Sequence, residues 1–416
     1  MAWPHAAATA TRKRERPRKG AASERMARPG REPAEILTGG PSPKVAVVHE
    51  WLDTWAGSDR AAAQILAIWP QADLFVLVDF LPEADRAPFA GRRITTSFLQ
   101  RMPFARRHFR KYVPLMRRAI ESFDLSGYDM VISSAHAFAK GVRTRAGQYH
   151  LCYCYTPMRY AWAMEGEYLR DFGLARGPLA WLARRQLATL REWDRAAAAR
   201  VDDIVGISRF IAERIRVAYG REASVIHPPV DVAAFTPGGP KEDFYVVVSR
   251  LVPYKRVDAV VEAFRAMPGR RLVVIGDGPQ RAAIEARRPA NVRLLGHAPH
   301  EVVLDHLRRA QAFLFAGEED FGIAPVEAMA CGTPVIALSR GGLLETVVEG
   351  ETGIFFDEPS PAAIAAAVER FDSLSPEIAP QRCRERAMQF STQAFRERFR
   401  DFAMAGLAKH ARGFAA

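Results

Sequence analysis

The chain has 416 residues, 49% apolar and 25% charged, with a formal net charge of +12. That length exceeds a single core and suits two domains; no apolar run reaches the roughly 20 residues of a bilayer span, and the N-terminus has no apolar core of the signal-peptide type. Four cysteines, Cys152, Cys154, Cys331 and Cys383, form no CxxC pair, which argues against a disulfide framework and for buried or free thiols in a reducing cytoplasm.

Residues 1–43 hold nine Lys/Arg and four Glu among many Ala, Pro and Gly. By composition this is a disordered basic tail. It reads either as a nucleic-acid or lipid arm or as an unselected start, with Met26 as a later one. From Lys44 onward, short apolar runs alternate with helical patterns. The first half offers strands at Lys44–Val48, Asp73–Val78, Asp129–Ser133, His150–Tyr155, Asp203–Ile207 and Ser224–His227. Between the second and third lies a basic block. Gly91–Ile120 carries nine Lys/Arg and no Asp or Glu, interleaved with Phe98, Phe104, Phe109 and other apolar residues. It reads either as a basic amphipathic segment docking on anionic lipid or as a solvated helix with an ordinary core face.

A Pro/Gly cluster, His227–Pro240, separates the halves. The second half offers strands at Phe244–Ser249, Arg271–Ile275, Val292–Leu295, Ala312–Phe315 and Pro334–Leu338. Strand–helix alternation predicts an α/β fold of two doubly wound, Rossmann-like domains facing across a cleft. The expected domains are 44–235 and 236–390, with 391–416 a C-terminal helix returning toward the first domain.

Open α/β sheets bind ligands beyond the carboxyl ends of their strands. Several motifs fall there. In the first domain these are His49, His136 and Ser208-Arg209; in the second, Ser249-Arg250 with Lys255, Gly276-Asp277-Gly278-Pro279, Gly317-Glu318-Glu319 and Ser339–Gly342. Arg250 and Lys255 around a strand-to-helix loop suit diphosphate recognition, though two surface bases would look the same. Gly276–Pro279 predicts a tight turn with Pro279 at the first helical position. Glu319 is expected in a loop and Glu327 in the first turn of the next helix, because Gly322 and Pro325 lie between them. At that position Glu327 reads either as an N-terminal helix stabiliser or as an acceptor for two ribose hydroxyls. No cluster has metal-ligand spacing, and no GxGxxG, P-loop or GxSxG elbow occurs.

These residues resemble family 4 retaining glycosyltransferases of the two-domain GT-B fold over roughly 44–410. The carriers are Ser249-Arg250 with Lys255, Gly276–Pro279, and the Glu319–Glu327 motif running into Ala-Met-Ala-Cys-Gly-Thr-Pro-Val-Ile. The first half resembles bacterial mannosyltransferases of surface-polysaccharide assembly, in Phe98–Phe109, in Ala-His136-Ala-Phe-Ala-Lys-Gly-Val and in Cys154–Trp162. The resemblance implies a nucleotide-sugar donor, with GDP-mannose leading, and a lipid-linked or saccharide acceptor. It implies that Arg250 and Lys255 grip the diphosphate and Glu327 the ribose. Glu319 and the N–H groups of Phe321, Gly322 and Ile323 would hold the sugar, and His136 would contact it from the first domain. Gly57, Gly276, Asp277 and Gly278 complete the expected donor contacts. No cofactor or metal is expected, since two cations can neutralise the phosphates, and no nucleic-acid partner.

The first-strand loop reads Trp55-Ala56-Gly57-Ser58-Asp59 where the subgroup carries paired glycines; Tyr155 replaces a histidine and Ala163 an Asp. The expected location is the cytoplasmic face of the inner membrane, with peripheral contact through residues 91–120. Two alternatives stand beside transfer: a nucleotide-sugar epimerase on the same scaffold, or a non-catalytic nucleotide-sugar-binding protein.

Overall fold

The computed structural model describes residues 42–162, 166 and 178–415. The expected tail, up to residue 41, and Ala163 lie outside them.

Two parallel sheets form the framework. The first runs β1 (Val45–His49), β2 (Asp73–Val76), β3 (Ile94–Thr96), β4 (Met130–Ala135), β5 (Tyr149–Cys154), β6 (Asp203–Gly206) and β7 (Ser224–Val225). Its spatial order is β3-β2-β1-β4-β5-β6-β7. The second runs β8 (Tyr245–Val248), β9 (Leu272–Ile275), β10 (Val292–Gly296), β11 (Phe313–Phe315), β12 (Val335–Leu338) and β13 (Gly353–Phe356), ordered β10-β9-β8-β11-β12-β13. The central strands β1, β4, β5, β11 and β12 are buried on both faces, as their near-continuous apolar sequences require.

Sequence reasoning misses two strands, β3 and β13. Both are outer strands paired on one side only. Ile94–Thr96 is three half-buried residues inside the basic block, and Gly353–Phe356 opens on glycine, so neither shows a clear strand pattern.

In each sheet the chain reverses direction of travel once, between β1 and β4 and between β8 and β11. The loops that leave those strands diverge and open a crevice. The loops after β1 and β4 carry Trp51 and His136; those after β8 and β11 carry Arg250 and Glu319. The helix Thr392–Ala415 packs back on the first sheet. Phe395 and Phe399 meet Tyr153, Phe399 also meets Trp69, and Arg396 donates to Gln64 at 2.6 Å.

The basic block is not one amphipathic segment. It breaks into β3, three short turns of helix over Phe98–Tyr112 and the helix Val113–Glu121. Pro103 and Pro114 limit helix propagation, and Phe104 takes a left-handed conformation, φ 54°. Among the described residues no helix is long and apolar enough to cross a membrane.

Candidate active site

The site forms where the two crevices face each other. One cavity, of about 770 Å³, is lined by Trp51, Arg110, His136, Tyr155 and Arg159 from the first half and by Arg250, Glu319, Phe321, Gly322 and Ile323 from the second. A second, of about 760 Å³, lies on the second sheet and is lined by Arg250, Lys255, Gly276, Asp277, His297 and Glu319. Gly57, Arg250, Glu319 and Ala324 line both. The two cavities therefore adjoin, one reaching into the first domain and the other lying mostly on the second, closed by Ala56 and Gly57.

Glu319 sits in the loop after β11. Its carbonyl accepts from the N–H of Gly342 at 2.8 Å, which ties this loop to the one after β12. Its carboxylate contacts the ammonium of Lys255 directly. That ammonium lies 5.2 Å from the ring centroids of both Tyr254 and Phe315. Burial pulls its pKa down to about 8, Arg159 reinforces the fall and Asp320 opposes it. The Arg250 guanidinium is exposed and has no carboxylate partner among the described residues.

Phe321, Gly322 and Ile323 lead into the helix Ile323–Ala330. Gly322 has φ +94°, and a Cβ there would lie 2.5 Å from the Leu343 side chain, so this turn requires glycine. None of the three N–H groups has an intramolecular acceptor among the described residues, and all three residues line the larger cavity. Free donors at a helix start favour an electron-rich ligand.

The helix begins earlier than expected, so Glu327 lies in its second turn. Pro325 falls at the third position, where the N–H has no intrahelical acceptor to lose. The N-terminal stabiliser reading of Glu327 fails with it. Its carboxylate instead accepts from Arg60 of the helix Gly57–Ile68 at 3.1 Å, across the cleft. It lines neither cavity. Burial raises its pKa and Arg60 opposes the rise.

Gly276 takes φ +138°, and a Cβ would sit 1.9 Å from the Ser249 carbonyl oxygen. It lines the second cavity together with Asp277. Asp277 pairs with Arg281 at 2.7 Å. Gly278 lines neither cavity; it abuts the Leu251 carbonyl, with a Cβ placed 2.4 Å from the oxygen. Pro279 is not the first helical residue either. The turn is held by Gln280 donating to Leu251, and the helix starts at Arg281.

His136 lines the larger cavity edge-on to Trp51, ring centroids 5.0 Å apart. Burial lowers its pKa, more than Glu50 raises it, which leaves a neutral imidazole near pH 7. Beneath it, Glu50 accepts from the N–H groups of His136, Ala137, Phe138 and Ala139 at 2.7–3.1 Å. Burial opposes ionisation of Glu50, but His136 and these donors hold its pKa low. His49 is buried beneath the site, bonded to Ser134 at 2.9 Å and to Asp59 at 3.3 Å, and lines neither cavity. Tyr155 bonds Ser134 at 2.8 Å and donates to the Ser58 carbonyl at 3.0 Å. It thereby fixes the start of the Gly57 helix.

Sequence reasoning misses Arg159 and Asp320 as partners. Arg159 donates to Asp320 across the cleft, and Arg214 donates to the same carboxylate at 3.2 Å and to Glu318 at 2.9 Å. The acidic neighbours of Glu319 are thus spent on joining the domains. No local signal marks this, because the partners lie 161 and 106 positions apart. Trp51 and Arg110 are missed as cavity residues; only the basic block pointed toward Arg110.

Two facing sheets with a cleft between their carboxyl ends define a GT-B architecture, and solved glycosyltransferase structures share it. The chain is similar to Anabaena HepE in complex with UDP and glucose, with TM-score 0.62 and 15% identity over 87% of this chain and 99% of that one. It is also similar to sucrose-phosphate synthase from Thermosynechococcus elongatus, with TM-score 0.67 and 18% identity over 86% and 98%. Residues 235–390 match the model of Glycosyl transferases group 1.

Among curated relatives, it is 32% identical to the GDP-mannose-dependent alpha-(1-6)-phosphatidylinositol monomannoside mannosyltransferase of Mycolicibacterium smegmatis, over 40% of this chain and 52% of that protein. It is 29% identical to the D-inositol 3-phosphate glycosyltransferase of Geodermatophilus obscurus, over 46% and 56%. The chain spans about half the length of the curated relatives it matches.

Proposed function

We propose that the protein is a retaining glycosyltransferase that moves a sugar, mannose from GDP-mannose in the leading case, to a lipid-linked or polysaccharide acceptor. The observation that carries this reading is the junction of two cavities at Gly57, Arg250, Glu319 and Ala324. The nucleotide and diphosphate take the cavity on the second sheet, beside Arg250 and Lys255. The acceptor takes the larger one, against Trp51, Val113, Met116 and His136. The sugar bridges them, held by Glu319 and the N–H groups of Phe321, Gly322 and Ile323. GDP-mannose is favoured because a curated relative bears that donor in its name.

In the reaction the acceptor oxygen bonds to the anomeric carbon as the bond from that carbon to the phosphate oxygen breaks. The acceptor proton passes to the departing diphosphate. Arg250, Lys255 and the free N–H groups stabilise the charge that develops there. The two cations supply this without a metal. Attack on the same face as departure accounts for retention, with Glu319 positioning the sugar rather than forming a covalent intermediate.

The basic block adjoins the larger cavity through Arg110 and Val113. Phe104 is 78% exposed and Phe98 44%, and Arg101, Arg106, Arg107, Lys111, Arg117 and Arg118 are exposed in the same stretch of chain. Exposed apolar side chains and cations in one segment suit an anionic lipid surface. On this reading the protein works at the cytoplasmic face of the inner membrane, where a lipid-linked acceptor would reach the cavity.

A melting-temperature panel of GDP-, UDP- and ADP-sugars identifies the donor through ligand linkage. Turnover with that donor and lipid-linked acceptors then tests transfer in the wild type and in Arg250→Ala and Glu319→Ala. Near-native turnover in both variants would sink the reading. Conversion of free donor without acceptor would assign an epimerase instead.

A further inference from the structure

We propose that a third cavity, at the crossing between the two domains and lined by Arg209, Arg386 and Arg398, is a second ligand site that takes a small organic phosphate, and that its occupant steadies the loop of Glu319. None of its lining residues lines either cavity of the active site, so binding there stands apart from the donor reading.

The cavity, of about 460 Å³, is in the size range of small-molecule sites. It lies where the chain passes between the domains. His227 follows β7 on the way out and Phe390 stands on the way back, and both line it. The two crossings run side by side, with Val230 donating to the Phe390 carbonyl at 2.9 Å. Arg209 enters from the first domain, at the start of the helix Arg209–Tyr219. Arg386 comes from the helix Pro380–Met388 and Arg398 from Thr392–Ala415.

The carboxylates on this wall are already spent. Glu345 accepts from His227 at 3.0 Å and from the N–H groups of Arg209 and Phe210 at 2.8 and 3.1 Å. Glu349 accepts from the Phe355 N–H at 2.7 Å and pairs with Arg370 at 3.3 Å. The cations are not spent in this way. Among the described residues, the side chains of Arg209 and Arg398 are exposed and have no hydrogen-bonding or ionic partner. The Arg386 guanidinium donates to the carbonyls of Thr346 and Glu345 and to the Gln389 amide oxygen, all neutral acceptors, and Glu351 attracts it without a bond. Three guanidinium groups with no bonded carboxylate suit a phosphate, whose oxygens match their planar donors. Val347, Phe355 and Phe390 add an apolar wall, which favours an organic ester over the bare ion.

The cavity touches the active site through its walls. Phe321, which lines the larger active-site cavity, packs against His227 and Phe390 with ring centroids 5.5 and 5.4 Å apart. The helix Leu343–Thr346, which carries Glu345, starts just after Gly342, whose N–H donates to the Glu319 carbonyl at 2.8 Å. A ligand that draws Arg209 of the first domain toward this helix therefore restrains the Glu319 loop as well.

The probe is phenyl phosphate, titrated calorimetrically into the full chain. The wild type shows saturable binding that added salt weakens. Arg209→Gln and Arg398→Gln each lower the affinity about 10-fold, and the melting temperature without probe stays at the wild-type value because neither side chain bonds the protein. Inorganic phosphate binds more weakly than phenyl phosphate. Saturating probe slows hydrogen exchange at Gly342 in the wild type and not in the double variant. Absence of saturable binding overturns the site. So does binding that Arg250→Ala abolishes and the two glutamine variants leave intact, which assigns the probe to the active site and leaves the donor reading standing. Inorganic phosphate binding as tightly as phenyl phosphate overturns the organic class of ligand. Unchanged exchange at Gly342 overturns the link to Glu319.

Discussion

The ammonium of Lys255 rests on the carboxylate of Glu319, although Lys255 was expected on the diphosphate and Glu319 on the sugar. Their contact sits at the junction of the two cavities, where Arg250 and Glu319 face both. In the proposed complex the bond between sugar and diphosphate falls there. The carboxylate turns to sugar hydroxyls and the ammonium to phosphate, so each partner exchanges one polar contact for another and neither is left buried and unpaired.

The first prediction concerns pH. Burial brings the Lys255 pKa to about 8. Below that value the ammonium is present; above it the neutral amine grips phosphate poorly. The donor KM rises above pH 8, by up to about 10-fold per pH unit if binding requires the charged form. Lys255→Arg, whose guanidinium stays charged, flattens this limb. Initial-rate kinetics from pH 6 to 10 check both.

Glu327 links function to a stability cost. Its folded pKa is raised by burial. A carboxyl raised in this way gives stability that is full below its unfolded value and lost as pH rises through the folded value. Glu327→Gln removes the buried charge. The variant melts about 1–4 °C above wild type at pH 8, and the gap closes toward pH 4. Nucleotide binding falls at the same time, as calorimetric titration would show. A variant that melts lower at pH 8 than at pH 4 relative to wild type contradicts this account.

Asp320 joins the domains through Arg159 and Arg214, and its carbonyl accepts from Ser208 at 2.6 Å. Asp320→Asn weakens both pairs and leaves Arg159, a cavity residue, without its carboxylate. The expected loss is about 1–2 kcal/mol, below that of a fully buried pair because the arginines are partly exposed. The acceptor KM rises while nucleotide affinity stays within about 2-fold, since Arg159 faces the larger cavity. Denaturant unfolding and two-substrate kinetics measure each.

Membrane contact is tested by flotation with vesicles of neutral lipid and of neutral lipid plus phosphatidylglycerol. Binding to the anionic vesicles weakens with salt, as surface electrostatics require. Phe104→Ser removes an insertion of apolar area, and Arg106→Ala with Arg107→Ala lowers affinity by about 5- to 30-fold, at about 1 kcal/mol per basic residue. Equal binding by wild type and both variants would remove this surface from the proposed function.

Much of the framework was legible along the chain. The strands of both sheet centres were found to within one or two residues at most ends, because strands buried on both faces read as continuous apolar runs. The outer strands β3 and β13, half-exposed or opening on glycine, carry no such signal. Arg250, Lys255 and Glu319 were legible because each follows a strand on the ligand-binding edge, a local relation of strand to loop. By itself, then, the sequence determined the class of fold, the motif-bearing loops and the chemistry those loops can offer. The tertiary structure alone decided which charges remain free to use it. Asp320 and Glu318 went to Arg159 and Arg214, Glu327 to Arg60 and Lys255 to Glu319. Three of these pairings cross between halves of the chain, where attraction depends on distance in space and desolvation on burial. Neither quantity is a property of spacing along the sequence.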